Sequence, residues 1–299
     1  MKLKGLFTAV VTPFLQSGEL DCEGLKTNLR FQIKNKVDGI VVLGSTGEDP
    51  TLTPQERETV IKIAVEEVKN KAQLFVGTGS NSTNDAIART RKAKEMGADG
   101  ALIVTPYYNK PTQEGLYLHF AAIADAVNFP ICVYNIQGRT GQNLQTETLE
   151  RLMTIPNIIG VKEGSCNMLQ IIEVIAAAKK QRPDFKIMSS DDALTLPLMG
   201  CGGDGIISVA SNLFPAAMKK LVDSALQGDF QSAQHWHYKL LPFFNACFIE
   251  TNPIPIKAAM NYFEMPAGPN RLPLCNLSDS NFFKLHTILK GYEAQPSFS

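Results

Sequence analysis

The sequence places one lysine, Lys162, at the end of the short apolar run Ile158–Lys162, which predicts a buried strand. Burial removes the hydration of an ammonium group and favours the neutral amine, which attacks carbonyl carbon. Lys162 is therefore a candidate for imine formation with a 2-oxo acid. On the local sequence alone, the simpler interpretation is a lysine that reaches solvent or pairs with Glu163. The rest of the chain favours the chemical interpretation.

Polar residues follow several of the predicted strands at the point where each strand ends. Taken singly, such glycines and hydroxyls are ordinary turn and cap residues. If the strands are parallel, however, their carboxyl ends share one rim, and five polar ends on that rim predict an active site. The five segments are Gly44–Glu48, Thr105–Pro111, Tyr134–Gly141, Lys162–Ser165 and Ser189–Asp192.

These strand ends contain the groups that imine chemistry needs. Forming a carbinolamine, an imine and an enamine moves protons, and Tyr134 on the strand before Lys162 is a candidate relay, with the Ser45 hydroxyl passing protons onward. The amides of the turn at residues 44–47 and the Thr46 hydroxyl could hold a carboxylate. Arg139 suits a second carboxylate through two parallel hydrogen bonds.

Eight apolar, β-branched runs recur at the spacing of βα units. Most are continuous rather than alternating, which is typical of parallel strands that are covered on both faces. Eight such units predict an α/β fold of the TIM (β/α)8 barrel type. The runs are Leu6–Phe14, Gly39–Leu43, Leu74–Gly77, Ala101–Thr105, Ile131–Asn135, Ile158–Lys162, Lys186–Ser190 and Gly205–Val209.

Helices are predicted between the strands and after the last one. Thr53 and Pro54 have the types of an N-cap and a first helical residue, and a second helix is expected to open at Thr83. Residues 1–228 are predicted to form the catalytic barrel and residues 229–299 a C-terminal helical domain. Its predicted helices are Phe230–Phe248, Pro255–Phe263 and Asp279–Tyr292.

Composition narrows the classes of function. Lysine plus arginine equals aspartate plus glutamate at 29 each, so no excess of charge points to nucleic acid or an anionic membrane as partner. The four histidines and six scattered cysteines show no metal-ligand spacing, and we expect no metal site. The N-terminal apolar run is short and interrupted by Pro13, so we expect a cytoplasmic protein without a signal peptide.

Four motifs together resemble a known enzyme family. They are Gly-Ser-Thr-Gly-Glu, Tyr-Tyr-Asn-Lys-Pro, Tyr-Asn-x-x-x-Arg-Thr-Gly and Gly-Val-Lys-Glu. The chain is similar over its whole length to the pyruvate-dependent class I aldolases of the N-acetylneuraminate lyase group, and most of all to the dihydrodipicolinate synthase family. This resemblance implies a lyase of lysine and diaminopimelate biosynthesis that needs no metal or organic cofactor. It also implies a homotetramer built as a dimer of dimers.

By the same resemblance, Lys162 forms the imine with pyruvate and Tyr134 shuttles protons. Ser45 links Tyr134 to Tyr108, which the family donates from a neighbouring subunit. The remaining roles concern substrate binding: Thr46 holds the carboxylate of pyruvate, Arg139 that of L-aspartate 4-semialdehyde, and Ile207 lines the pyruvate pocket.

Three positions depart from the family pattern. Serine at position 45 replaces the more frequent threonine and keeps the hydroxyl, and Gln137 replaces a proline in the segment that carries Arg139. A feedback site for lysine is expected near Asn81, Asp85 and Tyr107. The serine and histidines of well-inhibited members are absent there, because this chain has Asp49, Pro54 and Arg57. Inhibition by lysine stays open.

Two other functions remain open alongside the synthase. One is a lyase of the same group that acts on N-acetylneuraminate or a keto-deoxy sugar acid, although polyol substrates call for hydroxyl partners rather than the Arg139 guanidinium. The other is a non-catalytic sensor of a small carboxylate, which would have no need of the relay formed by Tyr134, Ser45 and Tyr108.

Overall fold

The computed structural model describes residues 3–293 and contains a closed barrel of eight parallel strands, in which strand order follows the chain. The predicted (β/α)8 barrel is confirmed. The strands are β1 (Gly5–Ala9), β2 (Gly39–Val42), β3 (Gln73–Gly77), β4 (Gly100–Val104), β5 (Ile131–Asn135), β6 (Ile158–Glu163), β7 (Lys186–Ser189) and β8 (Gly205–Ser208).

The first strand is shorter than its apolar run. β1 ends at Ala9, whereas the run continues to Phe14. The Val10 amide still donates to Val41, but the Val11 amide donates to the Asn212 side chain, and Pro13 has no amide hydrogen to donate. Phe14 instead forms an isolated antiparallel bridge with Leu20. Apolar character thus continues where backbone pairing has stopped.

Twelve α-helices lie within residues 3–293, and none of them combines the length and apolar character that crossing a membrane requires. They are α1 (Cys22–Lys34), α2 (Pro54–Val68), α3 (Thr83–Glu95), α4 (Gln113–Ala126), α5 (Gln137–Thr140), α6 (Thr146–Met153), α7 (Met168–Gln181), α8 (Thr195–Gly200), α9 (Pro215–Leu226), α10 (Phe230–Ala246), α11 (Ile254–Tyr262) and α12 (Asp279–Glu293).

Local sequence explains where the predicted helices begin. Thr53 caps α2 through a reciprocal box, since its hydroxyl accepts from the Glu56 amide while the Glu56 carboxylate accepts from the Thr53 amide. α3 opens at Thr83, as predicted, and the Ser82 side chain caps it by accepting from the Asp85 amide. The tail contains the three expected helices, shifted by one or two residues at some ends. The proposed domain boundary after residue 228 falls in the connection between α9 and α10 and stays a prediction.

The chain divides into two compact units, each with its own internal packing. The first comprises Met1–Lys4 and Phe75–Ile207, and the second comprises Gly5–Leu74 and Ser208–Ser299. Among the predicted site residues, Lys162, Tyr134 and Arg139 belong to the first unit, while Ser45 and Thr46 belong to the second.

Within the second unit, a buried ion pair joins α11 to the turn that follows β2. Lys257 Nζ lies 2.7 Å from Glu48 Oε1, and both side chains are almost wholly excluded from solvent. Lys257 also donates to the carbonyls of Thr12 and Pro269, and the Arg271 amide donates to Glu48 Oε2. Burial lowers the pKa of Lys257, and the charge of Glu48 opposes this shift. The pair fixes Glu48, whose backbone has a left-handed φ of 51°.

Breaking this pair from one side should destabilise the protein severely. Lys257→Met leaves the Glu48 carboxylate buried without its counter-charge, at a cost of about 3–5 kcal/mol in the free energy of unfolding. The double variant Lys257→Met/Glu48→Gln removes both charges and keeps an acceptor for the Arg271 amide, so it should recover much of the loss. Urea denaturation measures both effects.

The exposed pair between Lys26 and Glu23 provides the control, because water screens its charges and Lys26→Met should change the free energy of unfolding little. A double variant as unstable as Lys257→Met alone would show that packing of the lysine stem, and not the lone carboxylate, causes the loss.

Candidate active site

Lys162 and Tyr134 lie side by side because of the register of β5 and β6. Tyr134 is the register partner of Lys162, and directly paired residues of parallel strands project to the same face of a sheet. Lys162 Nζ lies 4.2 Å from the centroid of the Tyr134 ring. The two side chains are 5% and 6% exposed, respectively. The structure therefore brings together the predicted nucleophile and the predicted proton relay.

Among the residues that the structure describes, the Lys162 amine forms no ion pair. Glu163, the partner suggested by the local sequence, projects to the opposite face of β6 because successive residues of a strand alternate. Its carboxylate accepts from the Ser165 amide at 2.6 Å and from Asn135 Nδ2 at 3.3 Å. The simpler interpretation of Lys162, as one half of a pair with Glu163, does not describe this site.

The carboxyl of Glu163 belongs to a buried polar network behind the strand ends. Burial raises the pKa of Glu163, and the hydrogen bonds from Ser165 and Asn135 oppose this shift. Asn135 Nδ2 also donates to Asn143 at 2.8 Å, and Asn135 Oδ1 accepts from the Leu144 amide at 3.0 Å. The network thus connects the ends of β5 and β6 to the segment that follows α5.

Ser190 is a contact of Tyr134 that the sequence did not single out. Its Oγ donates to Tyr134 Oη over 3.1 Å. Room for this bond depends on Gly164, since a Cβ there would lie 2.9 Å from Ser190 Oγ and 2.8 Å from the Asn135 carbonyl oxygen. The only available signal was the position of Ser190 in the polar segment after β7.

The turn after β2, in the second unit, presents hydrogen-bond donors. Gly47 and Glu48 use their amides inside the turn, where they donate to the carbonyls of Gly44 and Ser45. Within residues 3–293, the amides of Ser45 and Thr46 have no acceptor. Two amides and the Thr46 hydroxyl are thus the donors of the predicted anion cradle.

Asn252 is a second residue that sequence reasoning missed. Its Nδ2 donates to Thr46 Oγ1 at 2.9 Å, and both residues are buried. Because the oxygen already accepts this bond, the hydroxyl hydrogen of Thr46 is left to donate elsewhere. Asn252 therefore sets the orientation in which Thr46 can serve an anion.

Arg139 lies on α5 with an exposed side chain. Gln137, the departure from the family pattern, begins this four-residue helix, and its carbonyl accepts from the Gly141 amide at 2.9 Å. The Thr140 hydroxyl lies 3.1 Å from the Ile136 carbonyl, and Gln142 Nε2 donates to Pro106 at 2.8 Å. Side-chain bonds from Thr140 and Gln142 thus hold the residues that follow Arg139.

Tyr107 and Tyr108 follow β4 and differ in exposure. Tyr108 is 91% exposed, and its φ of 72° lies in the left-handed region that L-residues seldom adopt. Tyr107 is 37% exposed. Within the single chain, the Tyr108 ring therefore projects into solvent from a backbone conformation that is unfavourable for an L-residue.

The other predicted residues occupy separate places. Ile207 is wholly buried in β8. Asp85 lies in the first turn of α3, and Asn81 accepts from Asn109 through its carbonyl at 2.8 Å. The lysine site suggested for Asn81, Asp85 and Tyr107 stays a prediction. Two residues that depart from that site, Asp49 and Arg57, form an ion pair with each other. In the described part of the chain, no cluster of three or more His, Cys, Asp or Glu side chains could hold a metal ion.

Comparison with known proteins gives one consistent result. Residues 2–292 match the model of the dihydrodipicolinate synthetase family. A 4-hydroxy-tetrahydrodipicolinate synthase of Protochlamydia amoebophila is 59% identical and covers 97% of this chain and 96% of its own length. The crystal structure of dihydrodipicolinate synthase from Aquifex aeolicus is 45% identical with a TM-score of 0.93, covering 97% of this chain and 98% of its own.

A chloride-inhibited dihydrodipicolinate synthase from Acinetobacter baumannii, solved in complex with pyruvate, is 39% identical with a TM-score of 0.93 and covers 97% of this chain and 98% of its own. The family predicted from the four motifs is confirmed. With a match over nearly its whole length and a shared barrel, this chain belongs to the dihydrodipicolinate synthetase family.

Proposed function

We propose that this protein condenses pyruvate with L-aspartate 4-semialdehyde through an imine on Lys162, as a 4-hydroxy-tetrahydrodipicolinate synthase. The observation that supports this most directly is the Lys162 amine, buried and free of an ion pair among the described residues, 4.2 Å from the Tyr134 ring centroid. The names and high identity of the relatives support the choice of substrates. The reaction belongs to lysine and diaminopimelate biosynthesis and takes place in the cytoplasm.

The proposed chemistry uses the amine itself and calls on no metal or organic cofactor. The neutral Lys162 amine attacks the ketone carbon of pyruvate, and the resulting carbinolamine loses water to give the imine. Loss of a methyl proton gives the enamine, which attacks the aldehyde carbon of the semialdehyde. The amino group of the adduct then displaces Lys162 by transimination as the ring closes. Tyr134 moves the protons of these steps, with Ser45 as the next hydroxyl of the relay.

The carboxylate of pyruvate is assigned to the turn after β2. A carboxylate suits the two open amides of Ser45 and Thr46 together with the Thr46 hydroxyl, whose oxygen Asn252 already occupies. Ile207 lines the pocket for the remainder of pyruvate. Charge-assisted bonds of this kind are about twice as strong as neutral ones, which favours a 2-oxo acid over an uncharged ketone.

Borohydride added together with pyruvate should trap a covalent adduct on Lys162, because reduction of the imine makes the bond permanent. Peptide mapping by mass spectrometry locates the adduct. Lys257 is the control, as another buried lysine, which is paired with Glu48 and should stay unmodified. An adduct on another lysine, or no adduct at all, would contradict the imine mechanism.

Arg139 is assigned to the carboxylate of the semialdehyde. Its helix is followed by Gly141, whose amide donates to the Gln137 carbonyl, and by Gln142, whose side chain donates to the Pro106 carbonyl. This bonding supports a fixed place for the guanidinium. Its planar donors match a carboxylate through two bonds, a geometry that lysine cannot reproduce.

Arg139→Ala should raise the KM for the semialdehyde by roughly two orders of magnitude, because two charge-assisted bonds of about 1.5–3 kcal/mol each are lost and partly replaced by water. The KM for pyruvate should change much less. Arg139→Lys keeps the charge but loses the paired geometry. Its KM for the semialdehyde should therefore lie between those of the wild type and Arg139→Ala. Equal losses for both substrates would indicate a structural arginine. Faster turnover of N-acetylneuraminate than of the semialdehyde would favour the rival lyase.

We also propose that the protein assembles as a homotetramer of two dimers in which Tyr108 is donated across the dimer interface. The support is the left-handed backbone that presents this ring, 91% exposed in the single chain. An exposed ring held in an unfavourable conformation is understandable if a second copy uses it.

Mixing two impaired variants tests this donation. Tyr108→Phe should lower turnover yet leave the pyruvate imine able to form, and Lys162→Ala should lose activity. One site of a mixed dimer combines the intact Lys162 of one subunit with the intact Tyr108 of the other, so the mixture should regain activity. Tyr107→Phe is the control variant, and on its own it should keep the turnover of the wild type. Mixed dimers without recovered activity would mean that Tyr108 acts within its own subunit or not at all.

A further inference from the structure

The hydrogen bond between Ser190 and Tyr134 spans the strand that carries Lys162. β6 pairs with both β5 and β7, so that Lys162 is the register partner of Tyr134 on one side and of Met188 on the other. Ser190 follows β7, and its amide donates to the Glu163 carbonyl at 3.0 Å. From there its Oγ reaches Tyr134 Oη at 3.1 Å, across the end of β6.

The end of β6 is shaped to let this bond form. Gly164 donates its amide to the Asn135 carbonyl at 2.8 Å and has no side chain. A Cβ at this position would lie 3.0 Å from Ser190 Cβ and 2.9 Å from Ser190 Oγ, closer than side-chain carbons normally approach. The serine hydroxyl therefore comes over the strand end at a point where only glycine leaves space.

We infer that Ser190 is a positioning residue for the Tyr134 hydroxyl, an inference that rests on the proposed role of Tyr134 as proton shuttle. A Tyr134 oxygen that accepts from Ser190 keeps its own hydrogen available for donation. When Tyr134 gives up that proton, the same bond becomes charge-assisted and strengthens. Ser190 thus orients the phenol in one state and stabilises its anion in the other, which lowers the barrier to each proton transfer.

The neighbouring serine, Ser189, bonds to the backbone instead of to Tyr134. Ser189 Oγ donates to the Asp191 carbonyl at 2.8 Å and accepts from the Asp191 amide at 3.3 Å, and the side chain is buried. Ser189 closes the turn after β7, whereas Ser190 is half-buried and bonds to the shuttle. The chain therefore offers two adjacent hydroxyls, of which one serves the backbone and the other Tyr134.

Ser190→Ala should lower kcat about tenfold or more, the expected effect of losing a bond that becomes charge-assisted during proton transfer. The KM for pyruvate should change less than about threefold, because the carboxylate cradle is elsewhere in the chain. Ser190→Thr keeps the hydroxyl and should restore most of kcat. Ser189→Ala is the matched control and should keep wild-type kcat, whatever its effect on the melting temperature.

Borohydride trapping separates this inference from the proposed mechanism. Wild type and Ser190→Ala should both reach full labelling of Lys162 at saturating pyruvate, with slower labelling of the alanine variant. A wild-type enzyme without label would refute the imine mechanism itself. With wild type labelled, an alanine variant of unchanged kcat, a threonine variant no better than alanine, or equal losses of kcat in Ser189→Ala and Ser190→Ala would overturn the role of Ser190.

Discussion

The site depends first on the pairing of β5 with β6. Because the ladder sets Tyr134 opposite Lys162, it also sets Asn135 opposite Glu163, one residue further along both strands. Alternation then divides the four side chains between the two faces of the sheet. The amine and the phenol share one face, and the carboxyl and the amide share the other. A slip of one residue in either strand would exchange the faces and bury the amine against the helices.

The pair on the other face, Asn135 and Glu163, makes such a slip costly. Glu163 is a buried carboxyl whose pKa is raised by burial, and the hydrogen bonds from the Ser165 amide and Asn135 oppose this shift. Asn135 in turn contacts Asn143 and Leu144, in the segment that follows the helix of Arg139. The same polar network therefore fixes the ends of β5 and β6, which carry Tyr134 and Lys162. It also fixes the segment that follows the helix of Arg139. The residues proposed to act on the two substrates, Lys162 and Arg139, therefore both lie next to segments that this network joins.

Sequence patterns predicted the barrel because strands buried on both faces are continuous apolar runs, and they predicted Lys162 and Tyr134 because both stand at the ends of such runs. They misjudged the end of β1, where apolar residues continue beyond the last paired residue, Ala9. They also missed Asn252, which meets Thr46 across 206 positions of the chain. Contacts between polar side chains of distant segments depend on how the loops pack against one another. The spacing of apolar residues along the sequence does not predict this packing.

Lys257 shows what the buried-lysine argument lacks when it is applied to sequence alone. It lies in the apolar segment Ile254–Met260, where the rule that singled out Lys162 would have selected it equally well. The structure separates the two by their partners. Lys257 is 1% exposed and bonded to a carboxylate and two carbonyls, and the charge of Glu48 opposes the lowering of its pKa by burial. Lys162 faces an aromatic ring and, within the described residues, has no carboxylate partner. Burial alone therefore does not separate the two lysines, and the structure distinguishes them by the presence or absence of a carboxylate partner within the described residues.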